Sequence, residues 1–294
     1  MAKIYHETLH SMGNLGIQVS LSALEIPHIP AHWHNEMEIL FCLNGEINIH
    51  IEQEQFTLSH NQLIVFDSKE VHSIHTNSKL YMFLCIHIDK KQLSVYCPDL
   101  ELSHIKCRPI PLDNPKIDQY IHLCHLAHDL TRANIEIEST SAMRSDGTAL
   151  LMLADLIRYF SDSSMPESSA NFHQANDTLC DIISYVNKHY TEKITLQNVA
   201  THVGFTREYF CRFFKEHMGL TFFRYLSEVR ISHASRLLSN SNLSVSEIMC
   251  KSGFTNQTLF NRLFKEIYGI TPRQARHSTT QKPNLQELVE QSHS

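Results

Sequence analysis

Between about residue 15 and residue 90, apolar residues come in short runs: EILFCL (38–43), EINIHI (46–51), QLIVF (62–66) and LYMFLCIHI (80–88). These runs are rich in β-branched and aromatic side chains. Turn signals such as Asn44-Gly45 divide them, which predicts short strands folded into a barrel or sandwich. From about 115 the period changes. Ile117, Ile121, Leu123, Leu126 and Leu130 suit an amphipathic helix begun after Pro115. Leu150, Leu153, Leu156, Ile157 and Phe160 form the stripe of a second helix near 140–160. The polar, serine-rich stretch 161–176 reads as a linker. Helical patterning then continues to about 276, and 277–294 reads as a polar tail. The pattern predicts an α+β chain of two domains: a β-barrel with two packing helices over 1–160, and an all-α domain over 177–276.

The helical part contains one segment twice. GFTREYFCRFFKE begins at Gly204 and GFTNQTLFNRLFKE at Gly253. In the first copy Thr195 is placed to cap a helix whose apolar face is Leu196, Val199, Ala200 and Val203. Gly204 permits a left-handed turn, and Thr206 can cap the next helix. The second copy repeats this with Ser244, Val245, Ile248, Met249 and Gly253. Each copy therefore predicts helix, tight turn, helix, with one long helix between them from about Thr221 to Ser239.

Composition narrows the class. No apolar run is long enough to cross a bilayer and the first residues have no apolar signal core, so a soluble, cytoplasmic protein without membrane contact is expected. The eight cysteines are scattered without a Cys-x-x-Cys pair and read as reduced, packed thiols. Net charge is −6, which alone disfavours nucleic acid. The distribution is uneven, however. Residues 1–176 carry 11 Lys and Arg against 21 Asp and Glu, whereas 177–276 carry 13 against 8. Partners respond to the local field, so the helical part permits contact with DNA.

The exposed faces of the two copies then decide between a bare helical bundle and a DNA reader. Arg207, Glu208, Cys211, Arg212 and Lys215 lie outside in the first copy, and Asn256, Gln257, Thr258, Asn261, Arg262 and Lys265 in the second. Arg reaches guanine, Asn and Gln reach adenine, and Lys suits phosphate. Two such units on a rigid helix could enter successive major grooves of double-stranded DNA. Residues 177–276 resemble the DNA-binding domain of AraC/XylS-type transcription regulators. The resemblance rests on Gly253-Phe254 through Phe264-Lys265-Glu266, then Tyr268-Gly269-Ile270-Thr271-Pro272-Arg273-Gln274 and Arg276. It rests also on Phe214-Lys215-Glu216 with Gly219, and on Tyr225-Leu226 with Arg230. It implies that the outward residues of both recognition helices contact bases and that Arg230 is structural. It also implies that the protein acts as a homodimeric activator in contact with RNA polymerase.

A second cluster lies upstream in HWHNEMEILFCLNG (32–45). His32, His34 and Glu38 share parity, so on one strand they face one side. The pattern His-x-His-x3-Glu-x6-Gly resembles the first motif of cupin barrels, and AraC-type regulators often carry such a barrel as a sensor. The second cupin motif implies a further histidine, which His72 supplies. Its usual glycine and proline frame is replaced here by Asn61, Asp67 and Lys69. Three imidazoles and a carboxylate suit a divalent zinc, manganese, iron or nickel ion. The same side chains would also hydrogen-bond a small polar effector such as a carbohydrate, or simply satisfy one another. Among 21 histidines many are incidental, and His60, His75, His87, His122, His125 and His128 are read that way.

Three functions remain. The first is a regulator whose barrel binds a small-molecule effector, with dimerisation through the Leu150–Phe160 stripe. The second is a metal-dependent cupin enzyme with a helical appendage. The third is an adaptor that binds protein through its helices. The duplicated helix-turn-helix favours the first, since no enzyme needs it.

Overall fold

The structure, a computed structural model, describes residues 4–5, 15–24, 28–51, 54–76, 81–136, 138–162 and 169–277. The strands are β1 (Ile4–Tyr5), β2 (Ile17–Leu24), β3 (His28–His32), β4 (Met37–Asn44), β5 (Ile47–Ile51), β6 (Glu54–Leu58), β7 (Leu63–Phe66), β8 (His72–His75) and β9 (Tyr81–Ile88). After a short helix, α1 (Lys90–Leu93), and β10 (His104–Ile105) come the two long helices α2 (Ile117–Ile135) and α3 (Ser141–Phe160). β11 (Ser161–Asp162) precedes the helical half: α4 (Ser169–His189), α5 (Leu196–His202), α6 (Arg207–Met218), α7 (Phe222–Asn240), α8 (Val245–Lys251), α9 (Gln257–Tyr268) and α10 (Pro272–His277).

The strands form two main antiparallel sheets, with orders β1-β2-β9-β4-β7 and β3-β8-β5-β6. The expected barrel is thus two facing sheets with separate edges rather than a closed cylinder. The alternation along β5 explains one of them: Ile47, Ile49 and Ile51 are buried, while His50 is exposed. β4 is buried from Met37 to Leu43 on both faces. Its odd-numbered residues meet α2 and α3, whereas Leu40 and Cys42 face the second sheet.

This packing corrects two expectations. Leu153, Leu156 and Phe160 are buried in the core that α2 and α3 share with the first sheet, with Leu150 and Ile157 packed at its edge. Burying each such side chain contributes about 1.5–3 kcal/mol within the chain, so the stripe is not free to join a second copy. The large exposed apolar residues of α3 are Met143 and Leu151 instead. The stretch 161–176 is not a loose connection in its described parts. Ser161 and Asp162 pair with β10, and α4 already runs from Ser169. Residues 163–168 and the tail 278–294 lie outside the described residues. The helical half has its own core around Phe210, Phe214, Phe222 and Tyr225, a ring cluster that also takes in Val71 from the strand half.

Candidate functional site

The two DNA-reading units are built alike. Thr195 and Asn198 form a capping box at the start of α5, and Ser244 and Glu247 form one at α8. Gly204 (φ 73°) and Gly253 (φ 80°) make the left-handed turns. Thr206 and Asn256 then cap α6 and α9 through hydrogen bonds accepted from Tyr209 N–H (3.2 Å) and Leu259 N–H (2.9 Å). Phe210, Phe213 and Phe214 point inward on α6, as do Phe260, Leu263, Phe264 and Ile267 on α9.

Arg207, Glu208, Cys211, Arg212 and Lys215 are exposed together on α6. Gln257, Thr258, Asn261, Arg262 and Lys265 are exposed on α9. Asn256 is exposed too, but its side-chain oxygen is committed to the cap, so it belongs to the scaffold of α9 more than to its reading face. Arg212 lies over the Tyr209 ring at 5.4 Å, which orients the guanidinium outward. Arg230 donates to Tyr190 O and Glu192 O, both at 2.7 Å, and ties the segment that follows α4 to the long helix.

The upstream cluster assembles differently from its sequence pattern. His32 ends β3 and Glu38 lies on β4, so the two are not on one strand. His34, in the segment between those strands, belongs to both groups of donors described next. His72 enters from β8 and His87 from β9, where it pairs directly with Glu38. The donor atoms of His32, His34 and His72 lie within 4.8 Å of one another, and so do those of His34, Glu38 and His87.

Glu38 Oε2 is the hub. The Nε2 atoms of His34, His72 and His87 stand 2.7, 3.5 and 3.9 Å from it. The other carboxylate oxygen accepts from the Cys85 thiol at 2.9 Å. Backbone carbonyls fix the imidazoles. Nδ1–H donates to Pro30 O in His32 (3.0 Å), to Glu36 O in His34 (2.7 Å) and to Glu70 O in His72 (3.0 Å). Each of those rings therefore turns Nε2 inward. Phe66 stacks on His72 at 3.8 Å, and His72 Nε2 is buried with no hydrogen-bond partner.

Burial pushes His32 down to about 3, helped by neighbouring His72, so its ring is neutral. Burial also lowers His87. It opposes charge on His34, but the bond to Glu38 outweighs it and raises the ring. Glu38 is likewise resisted by burial, yet the bond from His34 and the nearness of His72 and His87 hold it well below the usual carboxylate range. His34 and Glu38 thus favour each other's charged forms across their 2.7 Å contact. The orphaned Nε2 of His72, the fixed tautomers and the N,O donor set all fit a divalent cation.

The set therefore gains His87, which sequence reading had placed among the incidental histidines. Its signal is the strand register, since β9 lies beside β4. His122 and His128 do not join a cluster. They pair with Asp155 (3.4 Å) and Asn61 (2.7 Å).

Two family comparisons agree with this layout. A cupin domain matches residues 25–87 and a helix-turn-helix domain matches 199–278. An uncharacterized HTH-type transcriptional regulator of Bacillus subtilis (strain 168), YbfI, is 26% identical over 239 residues, 78% of this chain and 80% of the relative. The melibiose operon regulatory protein of Escherichia coli (strain K12) is 22% identical over 273 residues, 87% of each chain. The lactose operon transcription activator of Staphylococcus xylosus is 29% identical over 102 residues, 35% of this chain and 37% of the relative. A cupin-type β half joined to two helix-turn-helix units defines a DNA-binding transcription regulator. The chain carries an AraC-type helix-turn-helix domain beside a cupin domain, and over most of its length it is similar to transcription regulators of that kind.

Proposed function

We propose that this regulator reads DNA with the exposed faces of α6 and α9, and that its cupin half senses by holding a divalent transition-metal ion. The convergence of three Nε2 atoms on Glu38 Oε2 carries the second part of the reading. His34, Glu38 and His72 would hold the ion, with His32 and His87 completing the set. The ion would neutralise the buried carboxylate and supply an open position for an anionic or hydroxyl-bearing effector. The Staphylococcus xylosus relative, a lactose operon transcription activator, supports activation as the output.

A carbohydrate hydrogen-bonded to the same residues is a second reading, favoured by the melibiose and lactose operon regulators among the relatives. Elemental analysis of the purified chain separates the two. One ion per chain, lost on His34→Ala, supports the metal reading. No ion, with a sugar raising the melting temperature in a thermal-shift screen, replaces it with the sugar sensor. For the DNA half, a gel-shift titration should show affinity falling steeply as salt rises, and salt-independent binding would argue for the adaptor.

A further inference from the structure

The metal-candidate cluster and the DNA-reading half meet along one strand edge. β3 ends at His32 and β8 begins at His72, so Trp33, His34 and Val71 lie in the segments that adjoin those strands. The residues next to the cluster's histidines enter the helical half. Ala31 and Trp33, which flank His32, pack against the core of the first helix-turn-helix unit, as does Val71 beside His72. Trp33 also precedes His34. Hydrogen bonds reinforce the contact. Trp33 Nε1–H donates to Cys180 O on α4 (3.1 Å), and the Tyr225 hydroxyl on α7 donates to Ala31 O (2.9 Å). Lys69 N–H donates to His34 O (2.8 Å), while Lys69 O accepts from Asn176 on α4 (2.9 Å).

The same edge reaches the second unit. His28 on β3 pairs with Glu228 on α7 (3.1 Å). Glu228 pairs with Arg224 (2.7 Å), and Arg224 with Glu266 near the end of recognition helix α9 (2.6 Å).

The other two members of the cluster belong elsewhere. Glu38 and His87 lie on β4 and β9, in the sheet packed on α2 and α3. The cluster is therefore bracketed. One side, His32, His34 and His72, is bound to the DNA-reading half through residues next to it in sequence. The other side is bound to the sensor core. We infer that filling this cluster with a divalent ion is coupled to the seating of α4 and α7 on β3, and that Trp33, Val71 and Tyr225 carry the coupling. The inference rests on the metal reading above. An ion that draws His32, His34 and His72 toward Glu38 shifts Ala31, Trp33 and Val71 with them, because interiors packed at crystal density transmit small displacements. Linkage then requires the effect to run both ways: loosening the seat must change affinity for the ion.

The test uses the full chain and zinc alone. Equilibrium dialysis with metal analysis measures zinc affinity for the wild type, Tyr225→Phe and Trp33→Phe. Tyr225→Phe removes only the hydroxyl bond to Ala31 O and keeps the ring in the core, so it guards against loss of folding in the tryptophan variant. Hydrogen exchange of α4 and α7, with and without zinc, reads the other direction. Trp33 is the single tryptophan of the chain, so its emission reports the contact directly. The coupling predicts slower exchange in α4 and α7 with zinc, and a change in zinc affinity of about fivefold or more in Tyr225→Phe. One zinc bound per chain with unchanged exchange, and equal affinity in both variants, would overturn the coupling while leaving the metal reading intact. Failure of the wild type to bind zinc would overturn both.

Discussion

Gly204 and Gly253 occupy the same place in the two helix-turn-helix copies, yet their substitution by alanine should have unequal effects. Both have positive φ, at 73° and 80°. Forcing alanine into that conformation costs about 1–2 kcal/mol. At Gly204 nothing lies within 4 Å of the added methyl, so the backbone term is the whole effect. At Gly253 the methyl would meet Tyr190 O at 2.5 Å and Arg230 Nε at 2.9 Å. Those two atoms are hydrogen-bonded to each other at 2.7 Å, in the contact that ties the segment after α4 to the long helix. Parting them leaves a carbonyl and a guanidinium unpaired, worth about 1–3 kcal/mol more. Gly253→Ala should therefore cost about 2–5 kcal/mol against about 1–2 for Gly204→Ala. Urea unfolding of the full chain, followed by far-ultraviolet circular dichroism, reads the difference. Combining Gly253→Ala with Arg230→Ala should be less than additive, because both remove one contact. Equal losses at the two glycines would refute the close-approach argument.

Arg212→Ala should weaken operator binding by about 1–3 kcal/mol in a gel-shift titration if the guanidinium grips a guanine edge, and unchanged binding would remove it from the reading face. Burial resists the charge on Glu228, but the bonds from His28 and Arg224 outweigh it and hold its pKa below 4.5. Its contribution is therefore complete above that value and is lost as pH falls through the lower folded value. Glu228→Gln should flatten the fall in urea midpoint below about pH 4, and an unchanged acid limb would show that the carboxylate contributes little. Lys69 adopts φ 63° without being glycine. Lys69→Gly should raise thermal stability by about 0.5–1 kcal/mol, the left-handed cost relieved less the added chain entropy. A fall in melting temperature would locate the tolerance for Lys69 in its side chain.

Lys69 also shows how much of the fold could be read from sequence. The second cupin motif looked worn because Asn61, Asp67 and Lys69 replace its glycine and proline frame. The backbone kept the frame, since Asn61 and Lys69 are the non-glycine residues with positive φ among those described. Asp67 took on a different task, pairing with Lys90 and with His104 at 2.9 Å. The duplicated helix-turn-helix was legible because its signals are local: caps, turn glycines and an apolar stripe. His87 was not, because its meeting with Glu38 depends on how β9 pairs with β4. The early start of α4 was hidden by the serine-rich composition of 161–176. The seat for the helical half left a trace in the alternation Ala31-His32-Trp33-His34. Apolar residues opposite the ligand side needed burial, but only the fold shows what buries them.

The central claim is that the sensor half holds a divalent ion at Glu38. Anomalous diffraction at the zinc edge, from crystals of the full chain grown with zinc, tests it most directly. The account predicts one strong peak about 2.0–2.2 Å from Glu38 Oε2 and from the Nε2 atoms of His34 and His72. A zinc-bound crystal with no peak between the two sheets, or with its peak at surface histidines such as His122 or His125, would contradict it.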